Sequence, residues 1–219
     1  MVHELSDMNK SPGQALATSI TSTETVDALV IVADVGIDAA ITSGAFDGVP
    51  ILGIATGLIR AGRHIKDELF IRKTARFLAG LSGTTHEARQ RFVDDLRANG
   101  KIDEFGETIL LILDRIDDSR KPLIIGRLMA AHVEGKITYD QVTRLAAIVN
   151  RCYAPDLDYL AKFQPGPQGE MQTIADALFS AGLLQNCGLD GGAIGDGLSG
   201  GTIYEKNDYA ELLIEHGLR

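Results

Sequence analysis

The spacing of apolar and polar residues predicts a chain built mostly of helices. Phe105, Ile109, Ile112, Leu113 and Ile116 recur at helical spacing, so we expect them to form the centre of the core. The same spacing predicts helices over about 23–43, 50–80, 84–99, 103–117, 122–133, 139–153, 156–163, 170–185 and 207–216. One short strand is predicted at 202–204. The predicted fold is mainly α: a multi-helix bundle with a small C-terminal α/β appendage.

Capping and turn residues divide this pattern into elements and domains. The stretches 21–24, 84–87 and 138–141 each begin with Thr and have Glu or Gln three residues later, the signature of a capping box. Pro and Gly at 165–169 indicate a linker. The predicted organisation is then a polar leader (1–20), a helical domain (21–164), the linker (165–169) and an appendage (170–219).

Small residues recur four positions apart in an apolar segment that is predicted to form a helical hairpin. Small residues at that spacing leave a groove in which a second helix backbone can approach closely. The positions concerned are Gly44, Gly48, Gly53, Gly57 and Ala61. A constitutive membrane span is disfavoured, because the uncharged run 48–59 is shorter than the roughly 20 residues a span needs. The hairpin is interpreted as tightly packed in a soluble fold, with peripheral or inducible membrane insertion as the alternative.

Charge is unevenly distributed along a chain whose net charge is −9. Residues 60–91 are net positive, whereas the segments on either side are net negative. Two interpretations stay open: internal pairing on a solvated face, or a patch for an anionic partner or lipid surface. The residues assigned to the second interpretation are Arg60, Arg63, Lys66, Arg72, Lys73 and Arg76.

No motif in the chain specifies a reaction, a cofactor or a metal. The five histidines are scattered, and the glycine-rich stretch 188–201 matches neither a P-loop nor a dinucleotide fingerprint. Cys152 and Cys187 lie far apart, without metal-ligand spacing, which favours a reducing compartment. The N-terminal residues lack the apolar core of a signal peptide. We therefore expect a cytoplasmic protein without a metal or cofactor, and an enzyme is less favoured than a non-catalytic protein.

Residues 170–217 resemble the latter part of a winged-helix domain. The resemblance is carried by a helix ending in Ala-Gly-Leu-Leu at 181–184, a glycine-rich wing, a strand at 202–204 and a short terminal helix. In that family the recognition helix and wing usually carry basic residues. Here the predicted helix has none and the wing carries Asp190 and Asp196, which favours protein contact over DNA binding.

Residues from about 25 to 165 resemble a broad group of uncharacterised bacterial helical proteins. The stretch Gly48-Val49-Pro50-Ile51-Leu52-Gly53, followed by a basic helix, carries this resemblance. So do the spacing of Leu111, Asp114, Asp117, Lys121 and Pro122 and the turn at 134–137. The resemblance implies a bacterial helical protein from a mobile-element, stress or phage-response setting, and it implies no catalytic residue.

Three classes of function follow from these patterns. The leading hypothesis is a non-catalytic protein that acts through protein contacts, as an effector or regulator that self-associates or touches the inner membrane. The second is a nucleic-acid-associated regulator that uses the basic region 60–91. The third is an enzyme with an unrecognised site, for which no small molecule can be named.

Overall fold

A computed structural model describes residues 11–25, 27–28, 31, 36–45, 48–52, 65–192 and 200–219. By its internal contacts the chain forms two compact units, Met1–Ile137 and Thr138–Arg219. The first unit is helical throughout its described part. The second combines helices with a two-stranded sheet.

Local sequence signals explain where the helices of the first unit begin. Ser11 caps the first helix by accepting a hydrogen bond from the amide of Gln14, and Pro12 occupies the first turn. Thr85 caps a later helix by accepting from the amide of Ala88. The named helices are α1 (Pro12–Thr21), α2 (Ile37–Thr42), α3 (Ile65–Gly80), α4 (His86–Ala98), α5 (Ile102–Arg115) and α6 (Lys121–Val133). A 3-10 turn, Leu81–Gly83, follows α3.

The core of the first unit lies where α3 packs on α6 and α1 packs on α4 and α5. Phe105, Ile109, Leu113 and Ile116 are buried, as the periodicity predicts, whereas Ile112 is half-buried. Fully buried side chains from the other helices complete this core, among them Leu16, Ile20, Phe77, Leu78, Ile125 and Leu128. The predicted core is therefore confirmed at four of its five positions.

Two expectations for the N-terminal region need correction. Residues 12–20 do not belong to a polar leader, because they form α1, and Leu16 and Ile20 are completely buried. Asp103 on α5 holds the start of α1 by accepting hydrogen bonds from the side chains of Ser11 and Gln14. A continuous helix over 23–43 is also wrong, because Gly36 has a φ of 83° and α2 begins after it.

The second unit follows the predicted order of elements closely. It contains α7 (Tyr139–Arg151), α8 (Ala154–Leu160), α9 (Gln172–Ala181), β1 (Leu184–Asp190), β2 (Gly201–Lys206) and α10 (Asp208–His216). The predicted capping box at the start of α7 is present, with Thr138 and Gln141 each bonded to the other's backbone amide. The fold class, mainly α with a small α/β part near the C-terminus, is confirmed.

The sheet of the second unit is one antiparallel pair. Leu184 lies opposite Lys206 and Asp190 opposite Gly201, with an irregularity between Asn186 and Gly188. Gly166 adds an isolated bridge to Tyr204. The predicted linker 165–169 therefore lies inside this unit, and the division into compact units falls at 137/138 instead.

Candidate functional site

The predicted glycine stripe does not lie on one helix face where the structure describes it. Gly44 sits in a turn with a φ of 80°, and Gly48 is exposed in another turn. A Cβ added at Gly48 would lie 3.2 Å from Cγ of Glu24. Gly53, Gly57 and Ala61 lie outside the described residues, so their helix contact stays a prediction.

Close helix contact through glycine occurs at two other places. Gly80 on α3 meets Gly126 on α6, where an added Cβ at Gly126 would lie 2.1 Å from the carbonyl oxygen of Phe77. Gly13 on α1 meets Gly106 on α5, where an added Cβ at Gly106 would lie 2.3 Å from Cα of Gly13. Each crossing uses one glycine from each helix, so no repeat along a single helix reveals it.

The basic residues on α3 bond partly to the chain itself. The Nζ atom of Lys73 donates to the carbonyl of Asp114 at 3.1 Å, and Arg76 donates to the carbonyl of Ser119 at 3.3 Å. A cation near the C-terminal end of a helix such as α5 is stabilising, because the last carbonyl groups carry partial negative charge. Arg72 is exposed, and Lys73 and Arg76 are half-buried. These contacts agree with the internal-pairing interpretation.

The remaining members of that basic set cannot be placed. Arg60 and Arg63 lie outside the described residues. Lys66 belongs to α3, but its side chain is likewise outside the description. The patch for an anionic partner is thus described only at its C-terminal half.

Arg89 is a cation whose side chain is buried and hydrogen-bonded within the first unit. Its side chain is 3% exposed, and its Nη1 donates to the carbonyl of Thr84 at 2.8 Å and to the hydroxyl of the same residue at 3.1 Å. Burial lowers the pKa of this guanidinium. Among the residues that the structure describes, none accepts a hydrogen bond from its Nε. Arg89 therefore secures the turn after α3 and is not accessible to a partner.

An open apolar groove of about 460 Å³ runs beside α3 and α5. It is lined by Phe70, Glu107, Leu110, Leu111 and Asp114. Leu111 is 58% exposed and contributes its apolar side chain to the wall of the groove. The groove is a concave surface that the described part of the first unit offers to a partner.

Sequence reasoning missed this groove because it used the apolar pattern of 103–117 only to find the core and assigned no role to Leu110 or Leu111. A signal was present: Leu111 lies outside the spacing of the core residues, on the same side of α5 as Glu104, Glu107 and Asp114. All four of these positions are exposed. An apolar residue amid acidic residues on one helix stripe indicates a surface role.

The glycine-rich stretch 188–201 is described only at its two ends. Gly188 and Gly192 have positive φ angles. The Oδ1 atom of Asp190 accepts a hydrogen bond from the backbone amide of Gly192, with an N–O distance of 3.0 Å. Residues 193–199 lie outside the description. The described ends offer acidic and neutral groups, so they add no basic phosphate contact.

Neither a metal cluster nor a membrane span emerges from the described residues. No group of three or more His, Cys, Asp or Glu side chains in that part of the chain is arranged to hold a metal ion. No helix in the same part is both long enough and apolar enough to cross a bilayer.

Comparison with known proteins yields no relative. No protein-family model matches the chain, and no curated protein and no solved structure is significantly similar to it. The resemblances to a winged helix and to a group of bacterial helical proteins therefore stay predictions.

Proposed function

We propose that this chain is a non-catalytic protein that acts by binding other proteins. The observation that supports this most directly is the groove beside α3 and α5, with the exposed side chain of Leu111 at its wall. Exposed apolar surface next to a concave groove is typical of protein-contact sites. The second apolar side chain exposed on these helices, Leu69 of α3, is 53% exposed and directly precedes the groove residue Phe70.

The proposal includes the setting implied by the sequence resemblance. The protein would act in the bacterial cytoplasm as an effector or regulator in a stress or phage response. Its partner would be a second protein or a second copy of the chain, with peripheral contact to the inner membrane as a further route. These elements rest on the sequence patterns, not on the geometry.

Site-specific photo-crosslinking tests the protein-contact proposal. A photoreactive amino acid replaces Leu111, and the matched control carries it at the exposed Glu170 of the second unit. We expect a discrete adduct in cells from position 111 and not from position 170. An adduct of twice the chain mass would identify self-association. Absence of an adduct at 111, or the same adducts from both positions, would contradict the proposal.

A second candidate is contact with an anionic partner, either nucleic acid or lipid. Arg72 of α3 is exposed, and Lys73 and Arg76 beside it keep part of their side chains accessible. Contacts of cations with phosphates weaken steeply as salt rises. If this function is correct, Arg72→Gln should lower DNA affinity or binding to anionic vesicles, whereas Arg97→Gln on α4 should not. Affinity that is independent of salt and of Arg72 would remove this candidate.

A further inference from the structure

We infer that the groove beside α3 and α5 binds a cationic amphipathic helix of a partner protein, an assignment that rests on the proposed function. The partner's helix would carry an apolar residue flanked by Lys or Arg residues. The argument uses the stripe of exposed residues on α5, the state of their carboxylates and the shape of the groove.

The exposed residues on α5 form one continuous stripe. At 100° per residue, Glu104, Glu107, Leu111 and Asp114 fall within about 80° of the helix circumference, and the exposed cation Arg115 lies beside them, four residues after Leu111. Glu107, Leu111 and Asp114 also line the groove. The surface offered to a partner thus has an apolar centre with a carboxylate on either side of it along the helix.

The carboxylates of this stripe are not used by the fold. Within the described ranges, no ion pair or side-chain hydrogen bond involves the carboxylates of Glu104, Glu107 or Asp114. Lys73 contacts Asp114, but through the backbone carbonyl. By contrast, Asp103 on the same helix binds the side chains of Ser11 and Gln14 and thereby holds α1. Two of these acidic groups, Glu107 and Asp114, therefore line the groove, while Asp103 is half-buried against the start of α1.

Spacing favours a helical partner with cations two turns apart. Glu107 and Asp114 are seven residues apart, which corresponds to roughly 10 Å along α5. A helix that lies in a groove between two helices presents residues at positions i, i+3, i+4 and i+7. Cations at i and i+7 with an apolar residue between them would match Glu107, Leu111 and Asp114. Charge complementarity of this kind contributes mainly specificity and association rate, and the apolar anchor contributes affinity.

A synthetic peptide tests the assignment. The probe is an amphipathic helix about 16 residues long, with Leu on one face and Lys at the flanking positions, and the matched peptide carries Glu in place of Lys. Fluorescence anisotropy measures binding to the full chain. Binding of the Lys peptide without binding of the Glu peptide is the expected result. Failure of the Lys peptide to bind, or equal binding of both peptides, would overturn the assignment.

Variants of the full chain locate the binding. Glu107→Gln with Asp114→Asn should weaken the Lys peptide about tenfold, and Leu111→Gln should do the same. The control, Glu170→Gln with Glu215→Gln, neutralises two exposed acidic residues in the second unit and should leave affinity within about twofold. Equal affinity for all variants would show that the peptide binds elsewhere and would overturn the assignment.

These experiments also distinguish failure of the cationic-helix inference from failure of the proposed protein-binding function. If crosslinking from position 111 gives a specific adduct but the Lys peptide does not bind, protein contact stands and the cationic helix is wrong. If the groove variants weaken peptide binding, and sedimentation of the chain alone shows no dimer at the same concentration, the partner is a different protein. A groove-dependent dimer of the chain alone, without peptide binding, would replace the cationic helix by a second copy.

Discussion

Glycines at the two helix crossings differ from glycines in the turns in the reason why a side chain would be unfavourable. At Gly80 and Gly126 the backbones of α3 and α6 touch, and any Cβ would collide with the opposite backbone. At Gly44 and Gly182 the φ angles are 80° and 94°, a conformation in which side chains are rarely found. The first kind of glycine sets the distance between helices, and the second ends or redirects a helix.

This difference shows why the spacing of glycines along one segment did not predict the two crossings that the structure describes. A repeat of small residues along one segment suggested a smooth helix face, but Gly44 and Gly48 serve turns. The actual crossings each combine two glycines that are far apart in the chain, 13 with 106 and 80 with 126. Their partnership depends on which helices pack together, and a single sequence does not display that.

The largest effect is expected at the crossing of α3 and α6. Gly126→Ala would place a Cβ 2.1 Å from the carbonyl oxygen of Phe77 and 2.9 Å from Cα of Gly80, all parts of rigid backbone. The helices would have to separate, so we expect a loss of about 3 kcal/mol in the free energy of unfolding. Urea denaturation followed by circular dichroism measures this loss.

Gly83→Ala is the matched control for that substitution. Gly83 lies in the 3-10 turn after α3, and no atom lies within 4 Å of an added Cβ. We expect a change of about 0.5 kcal/mol or less. Similar losses for Gly83→Ala and Gly126→Ala would contradict the helix contact as the cause, because at Gly83 the added methyl group has open space.

The crossing of α1 and α5 should respond less strongly. Gly106→Ala would place a Cβ 2.3 Å from Cα of Gly13, but α1 is a ten-residue helix that can shift outwards. We expect a loss of about 2 kcal/mol, and about 1 kcal/mol for Gly13→Ala. Because one outward shift relieves both clashes, the double variant should lose less than the two single variants combined. Additive losses in the same denaturation experiment would contradict a shared contact.

Local signals predicted much of the fold correctly. The capping box at Thr138 and Gln141 was visible because its members are three residues apart, and the core residue Ile109 was visible through helical spacing. The helix α1 was missed because its N-terminal neighbours are polar and its buried residues include Ala15 and Ala17, which carry a weak hydrophobic signal. Its burial comes from packing on α4 and α5, far away in the sequence.

The candidate site was less predictable than the fold. The apolar pattern of α5 correctly indicated a buried face and placed Leu111 away from it, beside Glu107 and Asp114, but it did not show that a groove lies there. The basic set was recognised from composition, yet composition could not show that Lys73 bonds to the carbonyl of Asp114. Which neighbour a surface side chain meets depends on tertiary packing, and only the structure supplies that.

A smaller effect than at Gly126 or Gly106, and the sharpest test of the two kinds of glycine, is expected at Gly182. This residue ends α9 with a φ of 94°, and the nearest atom to an added Cβ is 4.0 Å away on Ile148. Gly182→Ala should cost about 1 kcal/mol, and Gly182→Asn should cost less, since Asn tolerates this conformation better. At Gly126 the order should reverse, with Asn worse than Ala, because only size matters there. If Asn were worse than Ala at both positions, measured as urea midpoints, steric contact would explain Gly182 as well, and the distinction between the two kinds of glycine would fail.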